Sequence, residues 1–394
     1  MEEGNKLPEP LERKMREMLD VQQSEPELVM RIIERASRRR RQREALYSVL
    51  RRLGPLVYDE MKRRGLLHPV PQPLSDETSY GVDGSRQVVG GRLGRYYIFL
   101  STTLVTLPRG LRSTRINIVF PGVDIIEVVD PTGASTEAAA EAAMMVLETL
   151  TLRKLANVEP GLVFIDGPIV DPPARLDPSN SVQAVRELLN APAEEVLRIV
   201  EEYHRLRARI LAELVGHGHT VVGLVKRIGQ VSILSSHLAK IGINIDGYVG
   251  DEDLVLALTA TTKSRGNGVF YTEPVEATSL PQDVYREYRV AGLRVYVSYT
   301  FSRYTLRPYR IEVAVTQGAD PGEVIKRVAA AAHGLTVPGQ SYPLPVVLAH
   351  EKSRIRRGLA QLVYREVLTR ASLPEGDPLA DTLKALLVKL DDES

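Results

Sequence analysis

The sequence predicts an α/β fold: a mixed β-sheet flanked by helices, with an N-terminal helical arm and inserted strands. Two observations support this prediction. Long segments rich in β-branched and aromatic residues come first, and these are typical of antiparallel strands. Short, wholly apolar segments then alternate with helical patterns, as in buried parallel strands joined by crossover helices. The chain has 394 residues, 43% apolar and 26% charged, which is enough to bury the core of such a sheet.

The amino-acid composition excludes some kinds of functional site and leaves others open. The absence of cysteine excludes disulfides, thiolate nucleophiles and cysteine metal sites. Lysine and arginine together number 51 against 50 acidic residues, so the net charge of +1 neither points to a polyanionic partner nor excludes one. The basic residues are 40 arginines and 11 lysines, a skew that fits phosphate contacts and equally a GC-rich genome. The polar N-terminus and the lack of a long apolar stretch predict a cytoplasmic protein without a membrane span.

Residues 1–75 are predicted to form a charged helical arm followed by a proline-rich linker. Apolar residues between Leu28 and Leu53 recur with helical spacing, and three prolines within 67–75 favour an extended linker. An arginine run, Arg38–Arg41 followed by Arg43, lies between the apolar positions. This run is either a solvated helix face or a contact surface for nucleic acid.

Residues 76–372 are predicted to form the main domain, and residues 373–394 a short tail. Strands are predicted at 80–83, where Gly84 and Ser85 turn the chain, and at 95–105, 115–129, 161–165, 220–225, 293–301 and 309–315. Helices are predicted at 135–157, with Ser135 as N-cap, and at 181–215, 230–241, 321–333 and 346–371. A three-strand meander that leads into a parallel strand–helix–strand unit is the arrangement of ribonuclease-H-like folds.

Three carboxylates are predicted to converge in this fold. Asp83 closes the first predicted strand, Asp166 closes the fourth, and Glu148 lies on the helix between them. Open α/β sheets place their sites at such strand ends. Three acidic groups in one cleft need a cation, and Mg²⁺ and Mn²⁺ prefer hard oxygen ligands. Two such ions about 4 Å apart would hold a scissile phosphate and activate a water for in-line attack.

Each of these residues also has a purely structural interpretation. Asp-Gly is a common turn dipeptide, so Asp83 and Asp166 taken singly are typical turn formers. Glu148 interrupts an apolar helical stretch and is either a site residue or an exposed glutamate. Glu141, seven residues earlier on the same helix face, is the reserve candidate.

Further candidates accompany the carboxylates. His350 begins the segment HEKSRIRRG near the start of the last long predicted helix, where a capping or surface histidine is the alternative. Lys226 ends the strand VVGLVK and can neutralise phosphate charge, although strand-terminal lysines are common without function. Tyrosines and arginines interleave between residues 294 and 310, which suits either base stacking or a half-exposed hairpin. The sequence contains no Walker, GxGxxG, HExxH or GxSxG motif.

Four sequence blocks resemble the NurA family, the archaeal and bacterial DNA-end-processing nucleases. They are YGVDGSR at 80–86, LVFIDGPIV at 162–170, VVGLVKR at 221–227 and PLPVVLAHEKSRI at 343–355. The resemblance implies a ribonuclease-H-like core with a divalent-metal site that favours Mn²⁺, with Mg²⁺ as the alternative. The resemblance also implies a role for individual residues. The implied metal ligands are Asp83, Glu148, Asp166 and His350, and the implied accessory active-site groups are Lys226 and Tyr299.

The resemblance also implies a biological role. The family cuts single-stranded DNA endonucleolytically and degrades single and double strands from 5′ to 3′. Its toroidal homodimer docks on the hexameric HerA helicase/translocase to resect double-strand breaks. We therefore expect DNA, a HerA-type hexameric ATPase and a second copy of the chain as partners. Glu141 and Tyr296 compete with Glu148 and Tyr299 as counterparts, and a non-catalytic DNA-clamping or motor-adaptor protein and an RNA-cleaving enzyme are the alternative functions.

Overall fold

A ten-stranded sheet runs through the described part of the chain. The computed structural model describes residues 26–71, 76–91, 94–109, 115–170, 178–229, 231–243, 250–265, 268–278, 282–302, 307–337 and 339–370. The strands are β1 (Leu67–Pro69), β2 (Ser79–Gly90), β3 (Arg95–Leu107), β4 (Asn117–Val129), β5 (Leu162–Asp166), β6 (Thr220–Val225), β7 (Val269–Thr272), β8 (Val275–Glu276), β9 (Leu293–Ser302) and β10 (Tyr309–Thr316).

Helices cover both faces of this sheet. They are α1 (Pro26–Arg63), α2 (Thr136–Arg153), α3 (Pro178–Leu189), α4 (Ala193–Glu201), α5 (Tyr203–Gly216), α6 (Ile233–Lys240), α7 (Asp251–Ser264), α8 (Gln282–Val290), α9 (Pro321–Gly334), α10 (Leu344–Ser353) and α11 (Arg357–Arg370). A short 3₁₀ turn, Lys154–Asn157, follows α2. None of the described helices combines the length and the apolar character that a bilayer crossing requires.

The strand order confirms the predicted fold class. The sheet runs β1-β7-β9-β10-β6-β5-β2-β3-β4, with β8 paired to β9. β2, β3 and β4 form an antiparallel meander, and β5 lies parallel to β2 on its other side. β6 continues parallel to β5, and β10 closes against β6 in the antiparallel sense. The segment β4-β3-β2-β5-β6 is therefore the ribonuclease-H-like arrangement, and the remaining strands extend it.

Apolar side chains bury both faces of the central strands, as expected for parallel pairs. In β5, Val163 and Ile165 belong to one core cluster, whereas Leu162 and Phe164 belong to another. Helices α5, α7 and α8 contribute to the first cluster, and α9 and α10 contribute to the second. Successive side chains of β5 thus point to opposite faces of the sheet, and each packs against the helices on its own face.

The predicted turn at Gly84-Ser85 is wrong, because β2 continues to Gly90 and pairs with β3 along its length. Gly84 serves another purpose. A Cβ atom at this position would lie 3.1 Å from Met144 Cγ and 3.4 Å from Glu148 Oε2, so the glycine allows α2 to cross close to the strand. Asp83 therefore lies inside a strand rather than at its end, and its side chain points away from α2.

Two predicted long helices are broken. The helix predicted at 181–215 is divided into α3, α4 and α5. Asn190, with a positive φ of 47°, and the extended Pro192 separate α3 from α4. Glu202, with φ −101° and ψ 18°, separates α4 from α5. The helix predicted at 346–371 consists of α10 and α11. Between them, the amide of Ile355 donates to Ser85 Oγ at 3.2 Å instead of continuing a helix. His350 therefore lies near the C-terminal end of α10 rather than at the start of a long helix.

The N-terminal region contributes to the sheet and to its helical cover. Leu67–Pro69, within the predicted linker, form β1 and pair with β7. Helix α1 packs closely on α7, since a Cβ atom at Gly54 would lie 2.8 Å from Ala257 O. The Arg38–Arg43 run lies in α1, but its side chains are outside the described part of the chain. The predictions for residues 1–25 and for the tail after residue 370 also fall outside it.

Candidate metal centre

Two carboxylates and one imidazole lie together where β2, β5 and α10 meet. Asp83, Asp166 and His350 each offer a ligand atom, and these atoms are within 4.8 Å of one another. His350 Nδ1 lies 3.2 Å from Asp83 Oδ2 and 3.1 Å from Asp166 Oδ2. Such oxygen and imidazole donors are suited to a divalent cation.

Strand pairing places the two aspartates side by side. Val82 in β2 is the parallel partner of Ile165 in β5, so Asp83 and Asp166, one residue further along each strand, lie on the same face of the sheet. Gly81 brings the histidine to this face. A Cβ atom at Gly81 would lie 2.2 Å from Pro345 O, so only glycine allows α10 to approach β2 this closely.

The electrostatics of the cluster favour bound positive charge. Burial raises the pKa of the Asp166 carboxyl, and the neighbouring Asp83 carboxylate raises it further, while Lys226 lowers it. The hydrogen bond with Asp83 raises the pKa of His350 above its ordinary value. Two carboxylates held this close bind a proton or a cation more readily than either would alone. A divalent cation relieves the same repulsion.

Lys226, the residue that follows β6, lies beside the cluster. Its Nζ lies 2.6 Å from Asp166 Oδ2 and 5.1 Å from the centroid of the Tyr342 ring. The Lys226 side chain is 24% exposed, so its ammonium group borders solvent while it neutralises Asp166. A cation in this position can also meet the negative charge of a bound phosphate.

Glu148 lies beside the cluster rather than within it. Its carboxylate, on α2, is outside the compact group of three among the described residues. Glu148 and Asp166 nevertheless line the same cavity of about 410 Å³, to which Glu141 also contributes. The Glu148 side chain is 12% exposed, and its Oε1 lies 3.5 Å from Arg207 Nη1. The Glu141 side chain is 48% exposed and lies 3.7 Å from Arg86.

Tyr299 is not brought into the cluster. It lies in β9, separated from β5 by β10 and β6, and it is only 1% exposed. Its hydroxyl donates to Asp251 Oδ2, and burial raises its pKa well above the ordinary value. Tyr296 lies on the same strand and is half-buried. The assignment of an accessory group to Tyr299 or Tyr296 stays a prediction.

Two buried polar residues that sequence reasoning missed support the site. Ser353 is 1% exposed, and its Oγ donates to Asp83 Oδ2 at 2.6 Å. It follows His350 by three residues and shares its helix face, which is the only sequence signal for its role. Arg207 is 1% exposed and donates to Ile169 O at 3.1 Å and Pro168 O at 3.3 Å. No pattern in its charged helix distinguishes Arg207 from its neighbours.

The loop that follows Asp166 is held from two sides. Arg207 donates to its carbonyls, and the Ile169 amide donates to Glu312 Oε2 at 2.8 Å. Tyr288 OH also donates to Ile169 O at 3.1 Å. Because Asp166 directly precedes this loop, the buried network restricts the position of its carboxylate.

A family match covers the part of the chain that carries the site. The NurA domain matches residues 77–355, a range that contains Asp83, Asp166, Lys226 and His350. The chain belongs to the NurA family. The resemblance of the four sequence blocks to NurA proteins is thereby confirmed. NurA membership and the cluster of acidic and imidazole groups together support a metal-dependent nuclease.

Comparison with solved structures finds a NurA nuclease of similar fold. The chain is similar to the crystal structure of the NurA nuclease from Sulfolobus solfataricus, with a TM-score of 0.54, 12% identity, and coverage of 88% of this chain and 97% of that one. A second is a crystal structure of NurA bound to dAMP and manganese, with a TM-score of 0.47, 14% identity, and coverage of 84% and 97%. A third is Ciona intestinalis endonuclease V in complex with DNA, with a TM-score of 0.32, 14% identity, and coverage of 82% and 98%. Among proteins with curated functions, none matches the sequence detectably.

Proposed function

We propose that the protein is a DNA nuclease that uses a divalent cation, with Mn²⁺ as the favoured ion. The observation that carries this proposal is the convergence of Asp83, Asp166 and His350 beside the ammonium group of Lys226. Carboxylate oxygens suit both Mg²⁺ and Mn²⁺, whereas an imidazole donor shifts the preference toward a transition-metal ion. Asp83, Asp166 and His350 are the proposed ligands, and Glu148 is a fourth that would approach from the adjoining cavity.

The proposed substrates are single-stranded DNA and double-strand ends. We propose internal cutting of single strands and degradation of both kinds of DNA from 5′ to 3′. We also propose that a homodimer of the chain acts with a HerA-type hexameric ATPase in the resection of double-strand breaks. Membership of the NurA family supports this role, because the resemblance of the four sequence blocks to that family implies DNA-end processing.

The residues of the centre have different proposed roles in phosphodiester hydrolysis. A divalent cation held by these residues would polarise a phosphoryl oxygen and lower the pKa of a coordinated water. Asp83 and Asp166 supply the negative charge that retains it, and their shared face of the sheet holds their carboxylates in fixed positions. Lys226 lies 2.6 Å from Asp166 and is positioned to meet the charge that develops on the phosphate.

Cleavage of labelled DNA tests this proposal. The assay uses single-stranded DNA labelled at either the 5′ or the 3′ end, with Mn²⁺, and compares wild type with Asp83→Asn and Asp166→Asn. We expect each variant to lose more than about 100-fold in rate, since even outer partners of metal ligands are worth about 10–100-fold. Glu351→Gln is the control, because Glu351 is exposed beside His350.

The outcomes separate the alternative functions. Full cutting by both aspartate variants would refute the proposed site. DNA binding without EDTA-sensitive cutting by the wild type would favour the non-catalytic clamp or adaptor. A matched RNA strand cut faster than DNA would favour the RNA-cleaving enzyme, because the 2′-hydroxyl is the main difference between the substrates. The order in which products appear from the two labels gives the polarity.

A further inference from the structure

The hydroxyl of Ser353 makes a short contact with a carboxylate of the proposed metal centre. Ser353 Oγ lies 2.6 Å from Asp83 Oδ2, and the serine is 1% exposed. Hydroxyl-to-carboxylate bonds of this length are charge-assisted and stronger than neutral ones. Because Asp83 is also buried, at 6% exposed, water has little access to replace this donor.

The end of α10 is tied to β2 at two adjacent points. Ser353 bonds to Asp83, and the amide of Ile355 donates to Ser85 Oγ at 3.2 Å. Asp83 and Ser85 are two residues apart on one strand and therefore share a face. His350 lies one helical turn before Ser353, so the same attachment restrains the backbone that carries its imidazole ring.

The contacts of Asp83 leave one carboxylate oxygen available. Within the described ranges, the hydrogen bonds to this carboxylate from Ser353 and His350 both end on Oδ2. The lone pairs of Oδ1 are thus available to a cation, provided that the carboxylate is prevented from rotating. Of the two bonds that restrain it, the one from the Ser353 hydroxyl is the shorter, at 2.6 Å against 3.2 Å for His350.

We propose that Ser353 is a positioning residue of the metal centre, whose hydroxyl holds the Asp83 carboxylate in its cation-binding orientation. This inference rests on the proposed function, because it assumes that Asp83 binds the cation. Ser353 acts through Asp83 and makes no contact with the cation itself. Removing the hydroxyl leaves a buried carboxylate short of one donor and held only by the longer 3.2 Å contact with His350. Loss of such outer partners lowers metal affinity by about 10–100-fold.

Direct measurement of Mn²⁺ binding tests the inference without relying on activity. The Kd for Mn²⁺ is measured by isothermal titration on the full chain in the absence of DNA, for wild type, Ser353→Ala, Ser353→Thr and Ser353→Val. Threonine and valine have nearly the same shape, so this pair differs in the hydroxyl alone. We expect the alanine and valine variants to raise the Kd about tenfold or more and the threonine variant to bind more tightly than the valine variant.

A matched control separates positioning from general stability. Ser298 is also fully buried, and its Oγ donates to Thr272 O at 2.7 Å, far from the centre in the strand order. Ser298→Ala is expected to lower the Tm without changing the Kd for Mn²⁺. Equal Kd values for the threonine and valine variants, or for wild type and Ser353→Ala, would overturn the inference while the proposed function stands. A wild type without saturable Mn²⁺ binding would overturn both.

Discussion

Glu148 Oε1 lies 3.5 Å from Arg207 Nη1, and the two side chains are 12% and 1% exposed. The guanidinium group of Arg207 also donates to the backbone carbonyls of Pro168 and Ile169, two and three residues after Asp166. The buried guanidinium group of Arg207 therefore connects the Glu148 carboxylate on α2 with the loop that follows β5. Its removal would affect both sides of the cavity at once.

Replacement of Arg207 by methionine is expected to destabilise the protein. Methionine fills similar space but leaves Glu148 as a buried charge without this partner, and breaking a buried pair in this way costs about 3–5 kcal/mol. We expect the free energy of unfolding, measured by urea denaturation, to fall by about 3 kcal/mol. Arg205→Met is the control, because Arg205 is 43% exposed and its surface pairs contribute less than about 1 kcal/mol. Equal losses in the two variants would contradict this account of Arg207.

Glu148 and Glu141 are distinguished by their surroundings. Both line the cavity beside Asp166, but Glu148 is largely buried and Glu141 is half-exposed. A buried carboxylate next to a cation site contributes more because solvent screens it less. We expect Glu148→Gln to lower the Mn²⁺-dependent cutting rate by about 10-fold or more and Glu141→Gln to change it by less than about threefold. The opposite ranking in the labelled-DNA assay would make Glu141 the site residue.

Gly81 controls how closely α10 approaches the sheet. In Gly81→Ala the new Cβ atom would lie 2.2 Å from Pro345 O, so α10 and its His350 must move away from Asp83. Overpacking of this kind costs about 1–3 kcal/mol. We expect a lower Tm together with a higher Kd for Mn²⁺. Gly268→Ala is the control, since nothing lies within 4 Å of its added Cβ atom. A Gly81→Ala protein with unchanged Mn²⁺ affinity would show that α10 does not set the geometry of the centre.

Asp130 makes the start of α2 sensitive to acid. Its carboxylate accepts from the Ser135 amide at 2.9 Å, from Thr136 Oγ1 at 2.9 Å and from the Gly133 amide at 3.0 Å. Hydrogen bonding by the Ser135 hydroxyl lowers the pKa of Asp130 below its ordinary value of 3.8. A carboxylate with a lowered folded-state pKa stabilises the protein above the unfolded-state value and loses that effect as pH falls. Ser135, the predicted N-cap, makes no side-chain capping bond of its own.

Thermal unfolding of Asp130→Asn across pH tests this role. We expect the variant to melt below wild type at neutral pH, with the gap in Tm narrowing as pH falls below 3.8, where the wild-type carboxylate begins to lose its advantage. Asp124→Asn is the control, because Asp124 accepts only from the amide of the next residue, Ile125, among the described residues. A gap in Tm that is constant with pH would show that the charge of Asp130 is not what stabilises this end of α2.

Local patterns predicted most strands because side-chain alternation is itself local. The strand predicted at 220–225 is confirmed at both ends, and the strand predicted at 309–315 differs by one residue. The long helices were less predictable, since the charged segment 181–215 retains helical composition across the breaks at Asn190 and Glu202. The turn predicted at Gly84 failed because the glycine is required by the helix that crosses it rather than by a turn.

The sequence alone was sufficient to predict an α/β ribonuclease-H-like sheet, the NurA family, and the candidate residues Asp83, Asp166, Lys226 and His350. These follow from local alternation and from short blocks whose residues are close together in the chain. Only the tertiary structure decided that Glu148 pairs with Arg207 and that Tyr299 is buried away from the cluster. It also revealed Ser353, which meets Asp83 across 270 positions of the chain. The physical reason is that burial and the partners of a polar group depend on packing between distant segments, which no local pattern records.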